Sequence, residues 1–440
     1  MDILVIGSGG REHALVWALR RSPGVRRLLC APGNPGIAKL ADVVPVRADD
    51  IPALLQLALR ERIDLTIVGP EQPLAQGIAD EFARHDLAVF GPTRDAAALE
   101  WSKAFAKEFM ARHGIPTARY AVVGDEDLPQ ARAVLDTFQL PVVLKADGLA
   151  AGKGVIICGT SDEAHAVLEG MLSGRSFGNA GSKVVIEECL MGEEASVFAI
   201  TDGNAYVLLA PAQDHKRVSE GDRGKNTGGM GAYAPAPVVT PQILQTVVEQ
   251  VLQPTLAGMA SEGRPYRGCL YIGLMLTSQG PRVIEYNCRF GDPETQVVLP
   301  LFKGDLARTL QAAAAGTLGE ISVAHWSFED PATAACVVLA AGGYPDQYQT
   351  GNPIRGIDEA ENLEGVVAFH AGTRMQGTSL VTSGGRVLGV SAMCASGGLA
   401  RTLQRCYDAV QRIHFENMHF RRDIGHRALG VSPSSNQKEL

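Results

Sequence analysis

"KADGLAAGKGVII", residues 145–157, sets three glycines and two lysines within ten positions. Such a stretch suits a phosphate, but it is not a Walker loop. That motif reads G-x-x-x-x-G-K-[ST] and opens a helix. Here three residues separate Gly148 from Gly152, and Gly154 stands where Ser or Thr would bind magnesium. The flanks are 141–144 ("PVVL") and 155–157 ("VII"), short apolar and β-branched runs. Runs of this kind read as strands, so the spacing predicts a glycine-rich β-hairpin rather than a strand-to-helix turn.

Upstream, the first hundred residues alternate between two patterns. Residues 3–6, 27–30, 65–68 and 88–90 read as buried strands, and 14–21, 51–62 and 74–85 as amphipathic helices. Alternation of this kind predicts a parallel sheet with helices on both faces, binding its ligand at the carboxyl ends of the strands. The loops there are "GSGGREH", "APGNPG", "GPEQP" and "GPTRD". Gly7 and Gly9 fit a dinucleotide fingerprint, but Glu12 holds the third glycine position and no acidic residue ends the second strand. An NAD-dependent oxidoreductase is therefore the weaker reading. Arg11 and the loop amides suit a sugar phosphate instead.

Downstream, 102–113 reads as a helix capped by Ser102 and ended by Gly114-Ile115-Pro116. Helices are also expected near 128–137, 161–172 and 240–259. Residues 218–233, "VSEGDRGKNTGGMGAY", read as mobile, and 269–277 and 282–286 as strands. From about 327 the pattern turns to strands at 335–341, 366–370 and 386–391 with a helix at 398–412. The last ten residues, 431–440, read as a disordered tail.

Bulk properties narrow the function. The 440 residues predict roughly two to four domains. A net charge of −8 and the lack of any basic run predict no nucleic-acid partner. Eight scattered cysteines without a C-x-x-C pair suggest reduced thiols in a cytoplasmic protein. No apolar run approaches about 18 residues, so no membrane span is expected, and Asp2 before an apolar strand argues against a signal peptide.

The chemistry concentrates in "RVIEYNCRFGDPETQ", 282–296. On a strand alternate side chains share a face, which puts Glu285, Asn287 and Arg289 together. A carboxylate beside an amide oxygen offers hard ligands for Mg²⁺. Arg289 can hold a phosphate or carboxylate bidentately, and Asp292 and Glu294 add acid at the strand end. Lys145 ends a strand, while Lys103 sits at a helix start, where anions are favoured. In "VVIEECLMGEEAS", 184–196, Glu187 or Glu188 could accept from an adenine amino group and Glu194 could hold ribose hydroxyls. In "DHKR", 214–217, Asp214 or His215 could act as acid or base, and Lys216 or Arg217 could neutralise a transferring phosphoryl group. Charged turns and solvated faces would produce several of these patterns singly.

The combination resembles the ATP-grasp superfamily and, within it, the phosphoribosylamine–glycine ligase family. The motifs carrying the resemblance run from residue 1 to about 428: "GSGGREHAL", "DLTIVGPE", "SKAFAKEFM", "LKADGLAAGKGV", "IEECLMGEEAS", "QDHKR", "NTGGMGAYAPAP", "EYNCRFGDPETQ" and "AAGGYP". Residues 289–296, "RFGDPETQ", match the family signature in full. The resemblance implies a multidomain α/β and α+β protein. It would comprise an N-terminal parallel α/β substrate domain (1–104), an ATP-grasp core (105–326) with a glycine-hairpin lid subdomain (about 122–192), and a C-terminal β-rich α+β domain (327–430). It also implies ligation of glycine to 5-phosphoribosylamine with ATP through glycyl phosphate, in purine biosynthesis, by a cytoplasmic monomer.

The roles it implies follow residue by residue. Glu285 and Asn287 would hold Mg²⁺, with Mn²⁺ as an alternative. Lys103, Lys145, Gly148, Gly152, Lys153 and Gly154 would hold the phosphates of ATP. Glu187, Glu188 and the backbone to Leu190 would read adenine, with Glu194 on ribose. Arg289, Asp214 and Lys216 would position glycine and stabilise the acyl phosphate. Gly9, Gly10, Arg11, Glu12, Glu71, Asp292, Pro293 and Glu294 would bind phosphoribosylamine. Segments 148–154 and 221–231 would move to exclude water. Two features depart from the family pattern. The strand "CLYIGLMLT" lacks the second acidic metal ligand that many superfamily members carry, and Trp101, before the helix of Lys103, is a candidate to pack near the nucleotide. Another ATP-grasp ligase or carboxylase, or a non-catalytic nucleotide-binding module, would share part of this pattern.

Overall fold

The computed structural model describes residues 1–125, 127–149, 154–173, 183–323 and 326–430. Its first layer is a five-stranded parallel sheet in the spatial order Asp42–Val43, Arg27–Pro32, Asp2–Gly7, Leu65–Val68, Val89–Phe90. The central strand, Asp2–Gly7, is wholly buried, as a strand covered on both faces must be. Successive strands add on one side and then on the other, so the order reverses beside Gly7. Such a reversal is where open parallel sheets bind ligands.

The first helix, Gly10–Leu19, starts earlier than its apolar pattern suggests, because the Glu12 carboxylate reaches back to the Gly9 amide (2.6 Å) and caps it. The helix expected over 74–85 is instead two, Glu71–Ala75 and Ile78–Ala83, broken by Gly77 at φ +87°.

The glycine-rich hairpin forms as the flanks require. Val142–Ala146 pairs antiparallel with Val155–Cys158 inside a four-stranded sheet completed by Tyr120–Gly124 and Lys183–Glu188. Helices Leu128–Leu135 and Ser161–Leu172 cover it and share a small apolar core with it. Gly152 and Lys153, and the tail expected at 431–440, lie outside the described residues.

A second four-stranded sheet, ordered Tyr206–Leu208, Glu193–Thr201, Gly268–Thr277, Gly280–Asn287, is antiparallel throughout. Its core is continuous with one face of the N-terminal sheet. The helix expected over 240–259 carries one wide π turn at Val248–Leu252, just ahead of Pro254, which has no amide hydrogen to donate.

The last sheet is antiparallel, ordered Gln213–Asp214, Gly231–Ala234, Thr333–Ala340, Arg386–Cys394, Val366–His370, with helix Gly398–Val410 packed on it. Two of its strands therefore come from before residue 327. Residues 218–233, expected as a mobile stretch, contribute to two hairpin strands and to the sheet strand Gly231–Ala234. Arg217–Ser219 and Arg223–Asn226 form a hairpin held to residues 421–423. Gly221 donates its amide to Asp423 (2.8 Å), and the wholly buried Arg421 bridges Asp222 and Asp423 (2.9 and 2.7 Å). Glycine serves here for close approach: a side chain at Gly229 would collide with Pro293.

All eight cysteines are free thiols, and every one but Cys189 is buried. No helix among the described residues is long and apolar enough to cross a membrane.

Candidate active site

Glu285 and Asn287 share a face. Across the ladder Asn287 pairs with Tyr271 and Glu285 with Gly273, two positions apart, while Tyr286 and its partner Ile272 point into the core. The strand position opposite Glu285, where a second acid is missing, is thus Gly273. A Cβ there would lie 3.1 Å from Glu285 Cγ, so glycine leaves room in front of the carboxylate. Among the described residues no three His, Cys, Asp or Glu side chains are grouped as metal ligands. The oxygen pair Glu285–Asn287 and the space at Gly273 suit a hard cation that completes its shell with phosphate and water.

The hairpin lysine reaches this strand. Lys145 Nζ donates to the Ile284 carbonyl at 3.1 Å, one residue from Glu285. Lys103 begins helix Lys103–Arg112, capped by Ser102 as expected, and donates to the Gly148 carbonyl at 2.8 Å. Asp147, at the hairpin base, accepts from the Ala104 amide and the Ser102 hydroxyl (3.1 and 3.3 Å), so hairpin and helix start are tied together. Burial pushes the Lys103 pKa down against the pull of Glu285. Glu187 is enclosed: at 3% exposure its carboxylate lies 2.9 Å from both Lys107 and Lys145. Burial would raise its pKa, but the two ammonium groups prevail and hold it low. Glu188 accepts from the Arg119 amide at 2.8 Å, and Leu190 follows on the partly exposed hinge.

Beside Glu285 stands Lys216, 2.7 Å from Glu194 and 3.9 Å from Glu285. Asp214 is buried close by, and burial, reinforced by Glu294, Glu194 and Glu285, raises its pKa to about 7 against the opposing Lys216. Its neighbour His215 faces the other way, among Arg421, Arg427 and His426. Its Nε2 accepts the Gly425 amide hydrogen (3.2 Å), and burial holds the ring neutral. Arg217 likewise turns away, onto the Gly224 carbonyl of its own hairpin (2.8 Å). Of the "DHKR" run, Asp214 and Lys216 alone join the site. Glu294 is buried and accepts from Tyr271 OH at 3.2 Å, which itself accepts from Ser196 Oγ at 2.8 Å.

A third cluster lies at the sheet's switch point. Arg11 pairs with Glu12 (2.6 Å), donates to the Phe290 carbonyl (3.4 Å) and comes within 3.9 Å of Glu71. Arg289 holds Glu100 (2.8 Å), Glu71 (3.3 Å) and Asn287 Oδ1 (3.3 Å). Burial opposes its charge, but Glu100 and Glu71 prevail and raise its pKa. Asp292 accepts from Gln296 (2.7 Å) and Arg386 (2.8 Å). The Glu12 side chain occupies the space that side chains on Gly7 and Gly69 would need, and its carboxylate already caps the helix. Glu12 thus stands where the dinucleotide fingerprint needs its third glycine, which disfavours the NAD reading.

Sequence reasoning missed Glu100, Lys107, Tyr271 and Arg386. Glu100 and Arg386 lie outside every quoted motif, Lys107 and Tyr271 lie inside quoted stretches without a local sign of their partners, and each enters through tertiary pairing. Trp101, a candidate to pack near a nucleotide, instead donates its indole N–H to the Arg94 carbonyl (3.0 Å) and packs its ring on the apolar core.

A parallel substrate sheet, a lysine-bearing glycine hairpin and a Glu-x-Asn strand brought into contact define an ATP-grasp ligase. Family models for phosphoribosylglycinamide synthetase match its N domain at residues 1–100, its ATP-grasp domain at 101–295 and its C domain at 334–427. The phosphoribosylamine–glycine ligase of Chlorobaculum tepidum is 53% identical over 433 residues, covering 98% of this chain and all of that protein. That of Allochromatium vinosum is 52% identical over 98% of this chain and 99% of its own length. The crystal structure of the Thermotoga maritima phosphoribosylamine–glycine ligase superposes with a TM-score of 0.83 at 34% identity, covering 96% of this chain and 100% of that one. A biotin carboxylase domain from Hydrogenobacter thermophilus shares the fold at 18% identity, with a TM-score of 0.70 over 95% of this chain and 91% of its own. The chain belongs to the phosphoribosylglycinamide synthetase family.

Proposed function

We infer that this chain joins glycine to 5-phosphoribosylamine at the expense of ATP, giving glycinamide ribonucleotide, ADP and phosphate. The observation that carries the reading is the contact of Lys145 with the backbone of the Glu285–Asn287 strand. It brings a phosphate-binding hairpin and a pair of metal-type oxygens to one point.

Glu285 and Asn287 would hold Mg²⁺, or Mn²⁺, which when bound neutralises charge on the ATP phosphates. Lys103, Lys145 and the hairpin from Gly148 to Gly154 would grip those phosphates. Glu188 and the backbone to Leu190 would read adenine, with Glu187 setting the lysines and Glu194 facing ribose. Arg289 and Lys216 would orient the glycine carboxylate, with Asp214 beside them, so that one carboxylate oxygen attacks the γ-phosphate. The P–O bond to ADP breaks as the acyl phosphate forms. The amine of phosphoribosylamine, held by the Gly9–Glu12 loop, Glu71 and Asp292-Pro293-Glu294, then attacks the acyl carbon and releases phosphate. Both the acyl phosphate and phosphoribosylamine decompose in water, which gives the hairpin its role as a lid. Eight free cysteines are in keeping with a reducing, cytoplasmic compartment.

The test omits each substrate in turn while ADP release is followed, with ¹⁸O in the glycine carboxylate. ADP release that requires glycine, with ¹⁸O appearing in phosphate, is expected. Release independent of glycine, or phosphate without the label, would overturn the reading.

A further inference from the structure

Lys107 has no part in the reaction described above, yet it is among the most deeply buried charges in the molecule, at 2% exposure. It lies one helical turn beyond Lys103, so both lysines project from one helix face, Lys103 to the hairpin carbonyl of Gly148 and Lys107 to Glu187 on the neighbouring strand. Glu187 meets two cations at once: Lys107 on Oε2 and Lys145 on Oε1, each at 2.9 Å. The two ends of this triad differ. Lys107 is anchored away from the hairpin, donating to Thr117 Oγ1 at 2.7 Å, and Thr117 in turn donates to the Val283 carbonyl at 2.6 Å. Lys145 sits on the hairpin strand, beside Glu285.

One carboxylate does not need two ammonium groups for neutrality, and burying the second is unfavourable unless an anion joins them. We infer that Lys107 is a positioning residue that keeps Glu187 neutralised, so that Lys145 can leave it for the nucleotide phosphates. With Lys145 as its sole partner, Glu187 would be left buried and uncompensated whenever Lys145 turned to phosphate, and breaking a buried pair in that way is strongly unfavourable. Lys107 removes that opposition. The inference rests on the ATP reading of the hairpin.

Calorimetric titration of the full chain with ATP and with adenosine, which has no phosphate, tests it. Lys107→Met is expected to bind ATP about tenfold more weakly, the loss of one charge-assisted contact, with adenosine binding unchanged. Lys107→Arg should retain ATP binding. The double variant Lys107→Met/Glu187→Gln, in which nothing detains Lys145, should recover most of the loss. A purely structural ion pair predicts the reverse: ATP and adenosine weakened alike, or a double variant no better than the single one. Either result, or unaltered ATP binding in Lys107→Met, overturns the inference. If Lys107→Met does not fold, the double variant decides alone: near-normal ATP binding supports the inference and its loss overturns it. A wild-type chain that binds ATP no tighter than adenosine would instead remove the hairpin reading, and this inference with it.

Discussion

Arg386, on a strand of the C-terminal sheet, places Nη2 2.8 Å from Asp292 Oδ2 and Nη1 2.9 Å from the Asp292 carbonyl. The same guanidinium also donates to the Gly228 carbonyl. One fork thus fixes the "RFGDPETQ" turn against both the C-terminal domain and the 217–231 segment. A lysine offers a single compact ammonium and cannot reproduce a three-point fork. Arg386→Lys and Arg386→Met are both expected to raise the KM for phosphoribosylamine about tenfold, as for the loss of charged hydrogen bonds, while the KM for ATP holds. Steady-state kinetics with each substrate varied checks this; equal loss on all substrates would contradict it.

Glu100 anchors Arg289. One oxygen holds the guanidinium at 2.8 Å and the other accepts the Cys288 amide at 2.7 Å. Burial pushes the Glu100 pKa up against the pull of Arg289, so the pair is held by geometry at a cost in desolvation. Glu100→Ala leaves Arg289 buried with Glu71 as its remaining carboxylate. The expected outcome is about 3 kcal/mol of lost stability and a raised KM for glycine, measured by urea denaturation and initial rates. A fully stable variant with unaltered glycine dependence would contradict the assignment.

The N- and C-terminal domains meet at two buried histidines. His13 Nδ1 accepts the His370 amide hydrogen at 2.8 Å, and their rings lie 5.6 Å apart. Burial, with Lys39 adding to it at both rings, lowers His13 to about 3 and His370 to about 4. The unfolded chain therefore binds more protons than the folded one below about pH 6.5. The contribution of the two histidines to stability is complete above that pH and is lost as pH falls toward 3. Urea denaturation between pH 7 and 4 should show the decline, and His13→Asn should make it shallower by about 1.4 kcal/mol per pH unit. An unchanged slope would mean that His13 is not neutral in the folded protein.

The layers of the fold were legible where local pattern and final burial coincide. The strand Asp2–Gly7 is apolar because both faces are covered, and Val142–Ala146 and Val155–Cys158 flank glycines because a hairpin joins them. Glu285 and Asn287 share a face because strand periodicity is local. The contacts of 218–233 are not legible in its glycines, since glycine composition alone does not separate mobility from close approach; its partners Arg421 and Asp423 lie some 200 positions away. Glu187 looked like a base reader because its lysine partners are distant in sequence. Glu100 and Arg386 carry no local signature, and their roles exist through pairings across domains.

The central claim is that Glu285 and Asn287 hold the divalent ion through which ATP activates glycine. Its most direct test is Mn²⁺ binding in the presence of ATP, followed by electron paramagnetic resonance, in the wild type and in Glu285→Ala, alongside turnover. The account predicts that the variant keeps its thermal unfolding midpoint and loses both the tightly bound ion and measurable ADP release. A variant that still binds Mn²⁺–ATP as tightly and still turns over would contradict it.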